Sequence, residues 1–590
     1  MLLPPSCRLW RVLVYFYSIL SLAGCSPPTA TTPAAIRIRW AHDPESLDPL
    51  RMASPQAIEA FNLLHVGLLQ LNYASRRFEP ALAAALPEVR RVGDSLTLLA
   101  YQLRPQATWD DGRPVLARDV AFSVKLMFCP GLPNEAAQAR YSFIQDVQLD
   151  PADSRRLTFV CRGQAPDYVQ ATGSFVVLPE AAFDPAGQLR SLSLAALRRP
   201  AGSKAASGVQ EVVQRYLRLD PSQHPERLPG SGPYVLTTWL KDHALTFRRK
   251  TNWWADRLPP PIPAVLQAQP TQLRYEIVPG EAAATLALQR GELDLFPQMA
   301  ARDFTRLRQS TTAQRSLVFY TTSSYDIVTA GFNTRRPALA DALTRRALSR
   351  LFDADGLLAA TQLGAGQRTA GLISPTDKAN YNDSLALTPY DLPGAEALLR
   401  QAGWRRDHAG WTRLSPGTGQ QTLRLMLRYR PDESVYETIA LQFRAAAGRL
   451  GIPVELQPTE SGALTGVLKA GEYDVYLRTL RGNPFGFNFA PILHSRAVGE
   501  GNLTGFGTPV TDRLIEAVAA AENPVRQARL LRRFQAMLQA QCPIVPLFFL
   551  PTRLAVSRRL VGLAVYDLKP GYVATTLRPT AGGVGAVTAP

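Results

Sequence analysis

Pro229–Gly230–Ser231–Gly232–Pro233–Tyr234 runs straight into the apolar pair Val235–Leu236 and then Trp239. Glycine takes backbone angles closed to other residues, and proline fixes φ at the next position. The stretch therefore predicts a sharp turn into a strand. Alone it serves any loop-to-strand junction; what constrains the fold is the company it keeps along the chain.

Upstream stand Trp109–Asp110–Asp111–Gly112–Arg113–Pro114 and Ala117–Ser123. Downstream stand Asn252–Trp253–Trp254, Gly291–Glu292–Leu293–Asp294, Gly331–Phe332–Asn333–Thr334, and Leu398–Leu399 with Ala402–Gly403–Trp404. In this order and spacing the motifs resemble the bacterial extracellular solute-binding proteins of family 5, which take up oligopeptides, dipeptides and nickel. The resemblance covers nearly all of the chain after its first residues. It implies a mixed α/β fold of the type II periplasmic-binding-protein class, with two hinged ligand-binding lobes and an extra third domain. It further implies a monomer that works with the permease of an ABC importer, without enzymatic chemistry or a cofactor.

The first residues read as an export signal. Arg8 and Arg11 precede the apolar Val12–Leu22, which is too short to span a bilayer comfortably. Leu22–Ala23–Gly24–Cys25 resembles a lipobox, with Cys25 as the lipidated residue, and the Pro/Thr-rich Ser26–Pro33 is a tether. The expected organisation is a signal over 1–24, an anchored tether over 25–35, and a first lobe over 36–72 and 206–324. The extra domain is expected over 73–205, the second large lobe over 325–545, a return segment over 546–580, and a tail over 581–590. The expected location is the periplasm, on the cell membrane or the outer membrane.

Composition excludes some classes. With 46% hydrophobic and 19% charged residues the chain is globular. The net charge of +17 comes mostly from arginines scattered singly. No basic cluster is interleaved with aromatics, so nucleic acid is not an expected partner. Of the five cysteines, Cys129 and Cys161 read either as a disulfide or as two buried thiols. No Cys-x-x-Cys is present, so no zinc or redox site is expected. Neither a Gly-x-Ser-x-Gly elbow nor a His-Glu-x-x-His helix occurs, which argues against a hydrolase. A sensing or adhesion lipoprotein without an importer remains the alternative.

Periodicity places a first strand at Ile36–Trp40, helical spacing over Ala57–Leu71, a helix over Ala117–Phe128 and a hairpin of Tyr234–Trp239 with Ala244–Arg248. The second lobe reads as strand Ile327–Asn333, helices Ala338–Phe352 and Asp391–Gly403, and a strand–helix succession from Thr422 to Leu477. Pro543–Phe549 reads as a buried strand returning to the first lobe. Leu468–Lys469–Ala470–Gly471–Glu472–Tyr473–Asp474 echoes Leu288–Gln289–Arg290–Gly291–Glu292–Leu293–Asp294. Both fit a helix, a glycine stop and a short strand.

Candidate ligand residues follow from lobe logic and resemblance. Glu45 and Ser46 lie on the loop after the first strand, where ligands of α/β lobes collect; Asp48 beside them reads as a helix cap. Trp109 reads as packing or as a ligand platform. In peptide-binding relatives an Asp shortly before a Pro pairs with the peptide α-ammonium. Here that position, before Pro484, is Asn483, and no acidic residue lies between Arg478 and His494. Arg478 and Arg481 suit a carboxylate or phosphate instead, and Phe485, Phe487 and Phe489 suit an apolar wall. Arg478 with His494 leaves a nickel chelate open, although six histidines without ligand spacing favour no metal.

Overall fold

Ile36, Ile38 and Trp40 are all buried, and their strand, Ile36–Trp40, lies at the centre of a seven-stranded sheet. Strand order is Leu317–Thr322, Thr552–Ser557, Leu295–Pro297, Ile36–Trp40, Gln272–Ile277, Ala244–Arg249 and Tyr234–Leu240. The computed structural model describes residues 35–580 apart from 52, 53, 94, 166, 199–205, 409, 416–418, 432, 483 and 522. Ile36–Trp40 runs parallel to both of its neighbours; the outer pairs are antiparallel.

A second sheet of six strands has the order Gln367–Arg368, Ile544–Phe549, Asp326–Phe332, Val475–Arg481, Leu425–Tyr429 and Val454–Pro458. Its central strand Asp326–Phe332 is buried at every residue. Apolar side chains cover both faces. Tyr436, Ile439 and Phe443 of helix Ser434–Arg449 pack with one, and Ile515, Leu531 and Phe534 of two C-terminal helices pack with the other. Those two helices, Pro509–Ala519 and Pro524–Gln541, start at Thr508–Pro509 and Asn523–Pro524, each a capping side chain followed by proline.

The extra region carries a four-stranded antiparallel sheet, Glu88–Val92, Leu96–Gln102, Arg156–Arg162 and Ile144–Leu149 in that order. Its core is continuous with that of the seven-stranded sheet. The turn at Gly230 makes the joint. Buried Ser231 accepts the Val66 N–H on Oγ (3.0 Å), and its carbonyl takes the indole N–H groups of Trp253 and Trp254 (3.0 and 2.8 Å). Gly230 N–H donates to Asp110 (2.8 Å) and Gly232 N–H to the Leu64 carbonyl (2.9 Å). A Cβ on either glycine would strike the backbone at Leu63 or Leu64. Three separately noticed motifs thus meet at one point.

The echoed heptapeptides do the same work twice. Helix Glu281–Gln289 ends before Gly291 at φ +70°, and the Asp294 N–H donates to the Arg37 carbonyl (2.8 Å) while Asp294 Oδ2 accepts the Arg37 N–H (2.9 Å). Helix Ser461–Ala470 stops at Gly471, φ +77°. The Asp474 N–H donates to the Met426 carbonyl (3.0 Å) and Asp474 Oδ2 accepts the Met426 N–H (2.8 Å). Each aspartate clasps the backbone of the second residue of a parallel-paired strand.

Several expectations change. Ala57–Leu71 is not one helix: Pro55–Leu64 is helical, and Leu69–Asn72 is a strand paired with Arg77–Pro80. Leu68, Leu69 and Leu71 continue the helical pattern, but Gly67 lies against the Gly173 carbonyl, where a Cβ would come within 2.7 Å, and the chain passes into the hairpin. The expected boundary at 72/73 therefore cuts a hairpin. Ile544–Phe549 pairs with Asp326–Phe332 in the second sheet, so the chain returns only with Thr552–Ser557. Cys129 and Cys161 are free thiols, and burial pushes both up to about 12. The signal, Cys25 and the 581–590 tail lie outside the described residues. No helix among the described residues is long and apolar enough to cross a membrane.

Candidate functional site

Two chain crossings join the large sheets, from Thr322 to Asp326 and from Phe549 to Thr552. They are laced together. Ser324 Oγ donates to the Leu550 carbonyl (2.5 Å), Leu550 N–H donates to the Asp326 carbonyl (2.8 Å), and Lys569 pairs with the Asp326 carboxylate. Short paired crossings between two lobes are a hinge geometry, and ligands of such folds sit between the lobes.

Over the crossings reaches the hairpin Leu69–Asn72/Arg77–Pro80. Asn72 Oδ1 accepts the Ala74 and Ser75 N–H groups (2.9 and 3.3 Å), and Asn72 Nδ2 and Ser75 Oγ both donate to Glu79 (2.8 and 3.0 Å). The turn so fixed presents Arg76 at φ +53°. Its guanidinium pairs with Asp567 (2.7 Å) and reaches the hydroxyl of Tyr325, 3.5 Å away, at the start of the second lobe. Burial raises the Tyr325 phenol pKa, the neighbouring Asp567 adds to this, and Arg76 opposes it. Next along the hairpin, Phe78 meets Phe485 of the second lobe edge-on at 5.5 Å, and Tyr73 meets Tyr566 at 5.7 Å. One hairpin of the first lobe thus touches the second lobe and the return segment together.

Of the sequence-predicted residues, Phe485 reaches this junction. Arg481 is in register with Asp326 beside the hinge, where the Gly482 N–H donates to the Tyr325 carbonyl (2.8 Å). Arg478 and Arg481 are both exposed and, three apart on strand Val475–Arg481, project from opposite faces. They do not form one guanidinium clamp. Asn483 lies outside the described residues. Phe489 stacks on Phe534 (4.2 Å) inside the second lobe and Phe487 packs in the same cluster, so neither extends the apolar wall.

Glu45 is exposed on its loop. Ser46 is tied up in the turn, donating to Ser222 Oγ (3.1 Å) and accepting the Asp48 N–H (3.1 Å). Asp48 accepts the Leu50 N–H (3.0 Å) and the Tyr216 hydroxyl (2.5 Å), a structural role but not the expected helix cap, which is Ser54, whose Oγ accepts the Ala57 N–H (3.2 Å). Trp109 is buried in the core beside Asp119, whose carboxyl pKa it lowers against the larger effect of burial, and so packs rather than offering a ligand platform. His494 has both ring nitrogens engaged: Nδ1 accepts the Arg496 N–H (3.2 Å), and Nε2 faces Glu516 (3.1 Å). It is not free to hold a chelated metal, and among the described residues no group of three or more His, Cys, Asp or Glu is arranged to bind an ion.

Sequence reasoning missed Tyr73, Arg76, Phe78, Tyr325, Tyr566 and Asp567. The turn-forming Asn72–Arg77 between the alternating Leu69–Gln70–Leu71 and Phe78 is a hairpin signal; nothing in spacing joins it to Tyr325 or Asp567.

Residues 77–494 match the family model for bacterial extracellular solute-binding proteins, family 5 middle. The chain is similar to protein XP55 of Streptomyces lividans, 25% identical over 88% of this chain and 85% of that one. It is also similar to the periplasmic murein peptide-binding protein MppA of Escherichia coli, 23% identical over 86% of each. Among solved structures, the oligopeptide-binding protein AppA of Bacillus subtilis in complex with a nonapeptide superposes with a TM-score of 0.72. The match covers 93% of this chain and 99% of that one at 16% identity, and so speaks to the fold.

Proposed function

The chain belongs to family 5 of the bacterial extracellular solute-binding proteins, and from that premise we propose that it captures a peptide or a related small solute between its two large lobes. The closed, loaded form is then what an ABC-type permease receives. The observation that carries this reading is the junction at Arg76, Phe78, Tyr325 and Phe485, where two lobes linked by laced crossings meet through side chains rather than through a shared core. Such a contact opens by hinge motion at little cost. The likeness to a murein peptide-binding protein and to a nonapeptide complex supports a peptide as the solute. Phe485 and Arg481 contribute to the ligand wall, the region between the first-lobe segments is a third domain, and Cys25 carries the lipid that keeps the protein at the membrane.

Native mass spectrometry of the body from residue 26 onward, purified without denaturation, tests the ligand class. Retained adducts of peptide mass are expected. Small-angle scattering with and without a random peptide pool tests closure. A protein that retains no peptide and keeps an unchanged scattering profile would refute the proposal.

A further inference from the structure

Among the described residues of this arginine-rich chain, each fully buried carboxylate is met by a cation or by backbone N–H groups. Asp294 is held by Arg37 and Arg559, Asp326 by Lys569, Glu180 by Arg118 and Arg190, and Asp48 by Arg51. Asp119 and Asp184 are capped by backbone N–H groups instead. Glu59, half-buried on helix Pro55–Leu64, has neither. Its one hydrogen bond from a side chain is that of the Tyr572 hydroxyl, 2.8 Å away on Oε2. The buried indole N–H of Trp40 lies beside the carboxylate and lowers its pKa without completing a hydrogen bond. Among the described residues no lysine, arginine or histidine pairs with it.

What surrounds Glu59 is aromatic. Trp40 stacks on Tyr275 at 4.0 Å, and Tyr572 and Tyr73 complete the surroundings. Burial first, and the Glu59 charge second, push the phenols of Tyr73, Tyr275 and Tyr572 up, which places all three within electrostatic reach of the carboxylate. Trp40, Tyr275 and Tyr572 are buried; Tyr73 is half-buried. Tyr73 is the exposed side of the group. Its ring touches Tyr566, and the same two segments, three residues and one residue further on, supply Arg76 and Asp567 to the junction between the lobes. A carboxylate without a counter-ion, set among aromatic side chains next to the junction between the lobes, is a partner that an organic cation can find.

We propose that Glu59, with Trp40, Tyr73, Tyr275 and Tyr572, forms a cation subsite that takes the ammonium end of the captured solute. The inference rests on the solute-capture reading above. It supplies the carboxylate that the segment before Pro484 lacks, from the opposite lobe, and so sets the ligand's orientation: ammonium towards the first lobe, remainder towards Phe485 and Arg481.

The test uses a pool of random tripeptides with free amino termini and the same pool N-acetylated, with retention read by native mass spectrometry. The wild-type protein is expected to retain free-amine peptides over acetylated ones by about 10- to 100-fold, and Glu59→Gln to bring that ratio to about one. Tyr73→Leu, a change outside the core, lowers the ratio several-fold and decides the matter if Glu59→Gln fails to fold. Equal retention of both pools by the wild type, or an undiminished ratio in the variants, overturns the subsite while leaving peptide capture standing. If the wild type retains neither pool, peptide capture falls, and tetramethylammonium chloride decides the subsite. Saturable quenching of tryptophan fluorescence that is absent from Glu59→Gln supports it, and no quenching in the wild type overturns it.

Discussion

Replacing Asp294 with alanine should damage the first lobe more than the same change at Asp474 damages the second, although the two residues make the same clasp. Asp294 is fully buried. It accepts the Arg37 N–H at 2.9 Å and the Arg37 guanidinium at 3.1 and 3.2 Å, and it also pairs with Arg559. Removing one partner of a buried ion pair costs about 3–5 kcal/mol. The Arg37 and Arg559 side chains are 25% and 53% exposed, so water recovers part of that and about 3 kcal/mol remains. Asp474 is 21% exposed, accepts one N–H at 2.8 Å, and faces an arginine at 3.5 Å that is 45% exposed. Its loss should cost about 1–2 kcal/mol. Hydrogen exchange read by mass spectrometry separates the lobes without assuming one cooperative transition. Asp294→Ala should speed exchange in 36–40 and leave 425–429 protected, and Asp474→Ala should do the reverse with a smaller change. Equal losses, or exchange that rises across the whole chain in both variants, would refute the idea that each aspartate clasps its own strand.

Three further outcomes are expected. Burial holds the Glu59 carboxyl up at about 7, above its ordinary value, so the folded state prefers it protonated. Stability is then full below about pH 4.5 and falls as pH rises through about 7, by up to about 3 kcal/mol in all. Denaturant titrations of Glu59→Gln should lack that slope, and a wild-type stability flat over this range would contradict the assignment. Gly331 lies under the Tyr476 ring, where any Cβ would collide. Gly331→Ala should destabilise by about 1–3 kcal/mol, measured by urea unfolding, and Gly331→Ala with Tyr476→Ala should recover part of it. Arg76→Ala removes the contacts to Asp567 and Tyr325 from a side chain 54% exposed. Stability should change by less than about 1 kcal/mol, while the radius of gyration without ligand increases.

The elements legible in the sequence are those written in consecutive residues. Gly291 and Gly471 stop helices where expected, and the Gly-Glu-x-Asp echo marks equivalent places because capping chemistry is local. The double role of Asp294 and Asp474 was not legible, since Arg37 and Met426 lie far off in the chain. The strand Ile544–Phe549 is plainly apolar, but periodicity does not say which sheet receives it. The candidate site was the least legible part. Arg76, Tyr325 and Asp567 come together only through the crossing of two lobes. Glu59 reads as an ordinary solvent-facing helix position, and its aromatic surroundings come from four separate segments. Trp109 carried two readings from its sequence, packing and platform, and its burial beside Asp119 decides for packing.

Thr552–Ser557 lies between Leu295–Pro297 and Leu317–Thr322, inside the seven-stranded sheet rather than at its edge. A ribosome makes this strand after every other strand of its sheet. Until it arrives, the first lobe has two strands with open ladders and a core without Leu554, Ala555 and Val556. The order of synthesis therefore keeps the first lobe unfinished while the second is already complete in sequence. Long-range pairing of this kind is slow to form, so the first lobe closes its sheet only after the second lobe has been made. A stop codon anywhere before residue 552 leaves a protein without a sealed first lobe, however intact its ligand-facing residues.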